Sequence, residues 1–163
     1  MGFSAHFGFP VDRSRHYITA GYQGTLGFGY PTSLGVKAAY RSAPVVSITG
    51  DGGFLYSVGE LATAVQHDLG VVAIVFDNGS YGNVRADQER IYGRRSGAVL
   101  DNPDFRNVAR AFGCRGYRAE SPDELRAALD KALSDDEPAV IHVPMRLDPQ
   151  VRPWRYLQPV SRV

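Results

Sequence analysis

Pro44-Val45-Val46-Ser47-Ile48-Thr49, followed at once by Gly50-Asp51-Gly52-Gly53, is the stretch whose reading decides the fold. The apolar, β-branched run reads as a short buried strand, and the glycine-rich turn halts it. Beyond the turn, Ser57 to His67 has helical composition, with Val58, Leu61, Ala62 and Val65 on one stripe at three- and four-residue spacing. Gly70 closes that helix. Val71 to Phe76 is then apolar throughout, as a central strand covered on both faces of a parallel sheet must be. Asp77 to Gly82 is turn-forming again.

Reading outward from this unit extends the pattern. On the amino-terminal side, Gly21-Tyr22-Gln23-Gly24-Thr25-Leu26-Gly27-Phe28-Gly29-Tyr30-Pro31 predicts a tight loop running into a helix at about Pro31, with the proline in its first turn. On the other side, Asn83 to Leu100 is charged and irregular. Pro103 to Phe112 predicts a short helix ended by Gly113, and Arg115 to Ala119 a short strand. Ser121-Pro122-Asp123-Glu124 supplies an N-cap, a first-turn proline and a capping-box acid ahead of Leu125, Ala128, Leu129 and Leu133. Ala139 to Val143 is a last apolar strand. Strands alternating with helices through short turns predict an open α/β fold, a parallel sheet with helices on both faces. The domain is expected over 1–143, with a proline-rich tail, 144–163, packed on its surface.

Composition narrows the function. The 163 residues include 44% hydrophobic and 21% charged side chains, an ordinary globular balance. Eighteen basic against 17 acidic residues leave +1, which argues against nucleic-acid binding and against a membrane-adhering patch. The single cysteine, Cys114, excludes a disulfide framework and a cysteine-rich zinc site. The four histidines lack zinc-like spacing and none is assigned a catalytic role. The first thirty residues lack a signal-peptide core, so a cytoplasmic location is expected.

In open α/β sheets the ligand crevice lies at the carboxyl ends of the strands. Gly50–Gly53 and Asp77–Gly82 both follow strands directly, so both belong on that edge. The first turn presents one carboxylate among residues that let backbone amides approach phosphate oxygens closely. Asp51 would repel a phosphate unless a cation lay between them. Asn78 adds a neutral amide oxygen, and Gly79 and Ser80 add backbone carbonyls. Such an all-oxygen set suits Mg²⁺. Either motif alone reads equally as a plain turn. The pair, 27 positions apart across a loop, a helix and a strand, returns the chain to one sheet edge.

Gly50-Asp51-Gly52 with Asp77-Asn78 at this spacing resembles the signature of the thiamine diphosphate-dependent enzymes. Gly24-Thr25-Leu26-Gly27-Phe28-Gly29-Tyr30-Pro31 is similar to the thiazolium loop of their acetolactate synthase-like and 2-oxo acid decarboxylase branch. Gly59-Glu60-Leu61-Ala62-Thr63-Ala64 resembles the helix that follows. The resemblance implies a carboxy-terminal cofactor-binding domain that holds thiamine diphosphate and Mg²⁺ for chemistry on a 2-oxo acid. It implies metal binding by the Asp51 and Asn78 side chains and the Ser80 carbonyl, and diphosphate binding by the Gly52 and Gly53 amides. Leu26 stands where the family bends the cofactor, and Gly24 where a carbonyl meets the aminopyrimidine. Thr25, Tyr81 and Gly82 complete the expected cofactor contacts. The family's usual asparagine pair is Asp77-Asn78 here, and the tryptophan of acetolactate synthases proper is absent near Asp87.

The resemblance further implies a separate pyrimidine-binding domain or subunit, which supplies an activating glutamate, and a first strand ahead of Met1. No residue of this chain is therefore expected to be catalytic. Glu60 reads as structural, and the chain alone as an inactive half-site that self-associates. Two other readings are an α/β binding domain for another nucleotide or phosphate ligand, and a non-catalytic partner subunit. A dinucleotide site is disfavoured because its G-x-G-x-x-G should follow the first strand; here the glycine loop precedes it.

Overall fold

The computed structural model describes residues 10–145. Four strands, β1 (Val45–Gly50), β2 (Val71–Asp77), β3 (Arg115–Arg118) and β4 (Ala139–Pro144), form one sheet in the order β1-β2-β4-β3. All neighbours pair in parallel. The carboxyl ends therefore share one edge, and Gly50 and Phe76 are partners in the register of β1 with β2.

Helices cover both faces, as expected. On one face lie α1 (Gly29–Ala39), α2 (Asp51–Leu55), α3 (Leu61–Gln66) and α5 (Phe105–Ala111). Their Leu34, Phe54, Leu61 and Phe105 pack with Val71, Ala73, Val75 and Val140. On the other face α6 (Pro122–Asp135) lays Leu125, Ala128, Leu129 and Leu133 against Val72, Ile74 and Ile141. Ser121 caps α6 by accepting from the Glu124 amide at 3.3 Å, while the Glu124 carboxylate accepts from the Glu120 amide. The capping box thus closes one residue further back than the motif predicts.

The folded chain departs from the sequence reading at three places. Asp51–Leu55 is a short helix, so the glycine turn is itself a first helical turn rather than a loop. The helix predicted from Ser57 starts as a 3-10 turn, Val58–Glu60, and becomes α-helical only at Leu61. Ala62 is exposed there, and Ala64 takes the buried place. The largest difference is α4, Gly82–Tyr92, an eleven-residue helix in the segment read as irregular. None of its residues is buried, so the sequence carries no core-facing stripe to betray it. Helix-forming Arg85, Ala86, Gln88, Glu89 and Arg90 favour it, with the Arg85–Glu89 and Arg90–Asp87 pairs. The expected surface tail begins with Pro144 inside β4 and Met145, whose amide donates to the Asp77 carbonyl at 2.8 Å; 146–163 lies outside the described residues, as does the first strand expected ahead of Met1.

One buried cation ties the layers together. Lys37 of α1 is 2% exposed, and its Nζ donates to the Ala43 carbonyl at 2.9 Å and to Asp136 Oδ1 at 2.7 Å. Asp136 ends α6 with a left-handed backbone (φ 48°), and Gly70 packs against it where any Cβ would collide. Removing the carboxylate strands the ammonium, whereas removing the ammonium leaves a carboxylate that water reaches. Asp136→Gly, which the left-handed backbone tolerates, is expected to cost about 1–3 kcal/mol in urea unfolding and Lys37→Met less than half of that; equal losses would refute this asymmetry.

Candidate functional site

The site grows out of the ends of β1 and β2. Strand β1 delivers Asp51 as the first residue of α2, where its side chain is 3% exposed. Strand β2 delivers Asp77, and the chain then turns through Gly79, whose φ of 63° is the left-handed region that glycine adopts without strain. That turn points the Ser80 amide back at the sheet. It donates to Asp51 Oδ2 at 3.0 Å and to Asn78 Oδ1 at 3.1 Å. The three residues predicted as cation ligands therefore share one hydrogen-bonded cluster, joined further by Ser80 Oγ to Asn78 Oδ1 at 3.0 Å.

Asp51 is a buried carboxylate with no cationic side chain paired to it among the described residues. Burial pushes it above the usual carboxylate range, and the Asp77 charge adds to the rise. Hydrogen bonds from Asn102, Gly52 and Ser80 offset only part of it. Asp77 is settled differently. Burial pushes it up too, but Asn102, the Gly79 amide and His142 outweigh that and hold it low. Its Oδ1 accepts from Gly79 at 3.0 Å and from Asn102 at 2.7 Å, and its Oδ2 faces His142 Nε2 at 2.9 Å. Asp77 is thus a structural acid, occupied inside the protein, while Asp51 faces the turn.

The predicted cofactor contacts surround this cluster. Gly52 and Gly53 follow Asp51 in the first turn of α2. Tyr81 lies over Gly52: a Cβ on Gly52 would stand 2.5 Å from Tyr81 Cε1. The neighbouring Tyr56 raises the Tyr81 phenol above the usual range. Gly82 opens α4 immediately beyond. The glycine loop joins from the other side, with Leu26 Cδ2 3.7 Å from where a Gly53 Cβ would be. Leu26 is 50% exposed, which rules out simple core packing. Gly24 and Thr25 precede it on the same exposed loop, where Gly24 is left-handed. Glu60 accepts from Thr63 Oγ1 at 2.7 Å, in keeping with a structural role.

Sequence reading missed three residues beside the cluster. Asn102 donates from one Nδ2 to both Asp51 and Asp77. Asp104 caps α5 through the amides of Arg106 and Asn107. His142, buried in β4, sits between Asp77 and Asp104. A histidine inside the apolar run Ala139–Val143 was the available signal; Asn102 offered none. Cys114 is buried, and burial pushes its thiol up to about 11.

With this geometry described, the likeness to known proteins falls into place. Residues 1–143 match the family described as "Thiamine pyrophosphate enzyme, C-terminal TPP binding domain". The chain belongs to this family. It is 40% identical over 141 residues to a probable acetolactate synthase large subunit of Methanocaldococcus jannaschii, covering 85% of this chain and 24% of that protein. Against the acetolactate synthase large subunit of Haemophilus influenzae it is 41% identical over 128 residues, 77% of this chain and 22% of that one. The crystal structure of benzoylformate decarboxylase from Polynucleobacter necessarius superposes with a TM-score of 0.72 at 32% identity, covering 78% of this chain and 25% of that one. The chain spans about a quarter of the length of the curated relatives it matches. Fold and family thus agree with the expectation drawn from the Asp51/Asn78 spacing. Among the described residues no helix is long and apolar enough to cross a membrane.

The TPP-binding domain depends on Gly52 for the close approach of Tyr81. Gly52→Ala is expected to destabilise by about 1–3 kcal/mol through overpacking, and Gly52→Ala/Tyr81→Ala to recover most of the difference from Tyr81→Ala. Thermal melts of the four proteins check this, and additive losses would speak against the contact.

Proposed function

We propose that this chain anchors thiamine diphosphate through Mg²⁺ for a lyase or transferase acting on a 2-oxo acid, by decarboxylation or carboligation. The observation that carries the reading is the buried, uncompensated Asp51 carboxylate joined to Asn78 and Ser80. A hard divalent cation suits it. The donors are one carboxylate, one amide oxygen and the Ser80 carbonyl, with diphosphate oxygens and water to complete the shell; the Gly79 carbonyl is taken by the Leu100 amide.

In this reading Asp51, Asn78 and the Ser80 carbonyl hold Mg²⁺, and the Gly52 and Gly53 amides hold the diphosphate. Leu26 supports the bent conformer, the Gly24 carbonyl meets the aminopyrimidine, and Thr25, Tyr81 and Gly82 line the cofactor. When bound, thiamine diphosphate would supply a nucleophilic carbon for the 2-oxo carbonyl and a sink for the electron pair that the C–C bond leaves behind as CO₂ departs. The chain's own task is to fix the cofactor's charge and shape; such positioning is worth several kcal/mol. The activating glutamate comes from a pyrimidine-binding domain or subunit, within a cytoplasmic homo-oligomer. The substrate's side chain is read largely by that partner.

Calorimetry of thiamine diphosphate with Mg²⁺ tests the anchor. Binding is expected for the wild type and its loss for Asp51→Ala; equal heats for both would refute the assignment. The chain alone is expected to turn over neither pyruvate nor benzoylformate. A rate near a typical enzyme's, about 10 per second, would show that the half-site reading is wrong.

A further inference from the structure

Asn102 lies in the segment between α4 and α5, outside every motif of the glycine turns. Its Nδ2 donates to Asp51 Oδ2 and to Asp77 Oδ1, each at 2.7 Å. The two carboxylates are therefore no farther apart than twice that distance, and one amide group stands between them. The amide orientation is dictated by charge, because the flipped form would turn Oδ1 toward two carboxylates. Oδ1 instead points into a buried space without a hydrogen-bond partner. Leaving that acceptor bare has a cost, so the two carboxylate contacts prevail over it.

The hydrogen-bond pattern gives each oxygen a task. Asp51 Oδ2 already accepts from Asn102 and Ser80. Its other oxygen, Oδ1, is the one that can turn to a cation. Asp77 is saturated by Gly79, Asn102 and His142, and stays out of the coordination shell. Behind Asn102, Asp104 fixes the start of α5 and faces His142 Nδ1 at 3.5 Å, so the segment carrying Asn102 is anchored at its far end.

We infer that Asn102 is a positioning residue for the divalent cation: it holds the Asp51 carboxylate in the ligating orientation and screens it from Asp77. This rests on the reading that Asp51 and Asn78 bind Mg²⁺. Outer hydrogen-bond partners of ligating carboxylates typically contribute 10–100-fold in metal affinity. Asn102→Leu, similar in size but without a donor, is expected to weaken Mg²⁺ binding at least tenfold.

The test is a Mg²⁺ titration of the full chain in saturating thiamine diphosphate, followed by two-dimensional ¹⁵N–¹H NMR, on wild type, Asp51→Ala and Asn102→Leu. In the wild type the Ser80 backbone amide and the Asn102 side-chain amide are expected to shift with one midpoint. Asp51→Ala should abolish both shifts. Asn102→Leu should raise the Ser80 midpoint while the amides of β4 keep their positions. A wild-type midpoint in a folded Asn102→Leu protein would overturn the positioning role and leave the cation reading standing. No Mg²⁺-dependent shift at Ser80, or an equal one in Asp51→Ala, would remove the cation reading and this inference with it. Should Asn102→Leu fail to fold, the wild type decides: Asn102 side-chain resonances that stay still while Ser80 shifts would refute the proposal.

Discussion

The backbone amide of Ser80 is the hinge on which the site depends. It is shared between Asp51 at the end of β1 and Asn78 at the end of β2. A parallel pair of strands brings two turns to one edge, but it does not by itself make their side chains meet. The left-handed residue at Gly79 does, by reversing the chain so that an amide, rather than a carbonyl, faces the neighbouring strand end. The same reversal pairs Ser80 with Val99 in an isolated antiparallel bridge, and Leu100 donates to the Gly79 carbonyl at 2.9 Å. The segment bearing Asn102 is thereby brought under the two carboxylates.

Three acidic side chains, Asp51, Asp77 and Asp104, gather at this edge around a single histidine and a single asparagine. Grouping like charges away from water is unfavourable unless each is separately compensated. Asp104 finds compensation at a helix start, with the α5 amides and His142 outweighing the effect of burial and holding it low. Asp77 finds it in three donors. Asp51 has neutral donors only and remains raised. Of the three, Asp51 alone has neither an arginine nor the histidine beside it. Beneath it the ring stack of Tyr30, Phe54, Phe105 and His142, each pair edge-to-face at 5.4–5.7 Å, gives the edge a rigid floor.

Much of this was legible because the decisive elements are defined by short-range chemistry. The apolar run Val71–Phe76 and the glycine turns at Gly50 and Gly79 state their conformations locally, and the Ser121-Pro122 start of α6 does the same. The Asp51/Asn78 pair was readable because one βαβ unit fixes their common edge. What escaped depends on distance along the chain. Asn102 meets Asp51 across 51 positions and Asp77 across 25, and His142 meets Asp77 across 65. No periodicity encodes such contacts. Helix α4 escaped for the opposite reason, since a helix that buries nothing leaves no amphipathic trace.

That same helix has a thermodynamic consequence. Val84, Ile91 and Tyr92 are all more than half exposed, and among the described residues no side chain of the eleven-residue helix is fully buried. Isolated helices of this length are marginal in water. What closes the segment is its base, where Tyr81 donates to the Ala98 carbonyl and Gln88 exchanges two hydrogen bonds with Ser96. Helix α4 therefore opens more cheaply than the sheet, as a local excursion with β1, β2 and the Asp77–Ser80 turn still folded. Its amide protons would exchange with solvent far sooner than those of β2. The segment can thus change shape against whatever lies above the site without drawing on the stability of the sheet that holds Asp51.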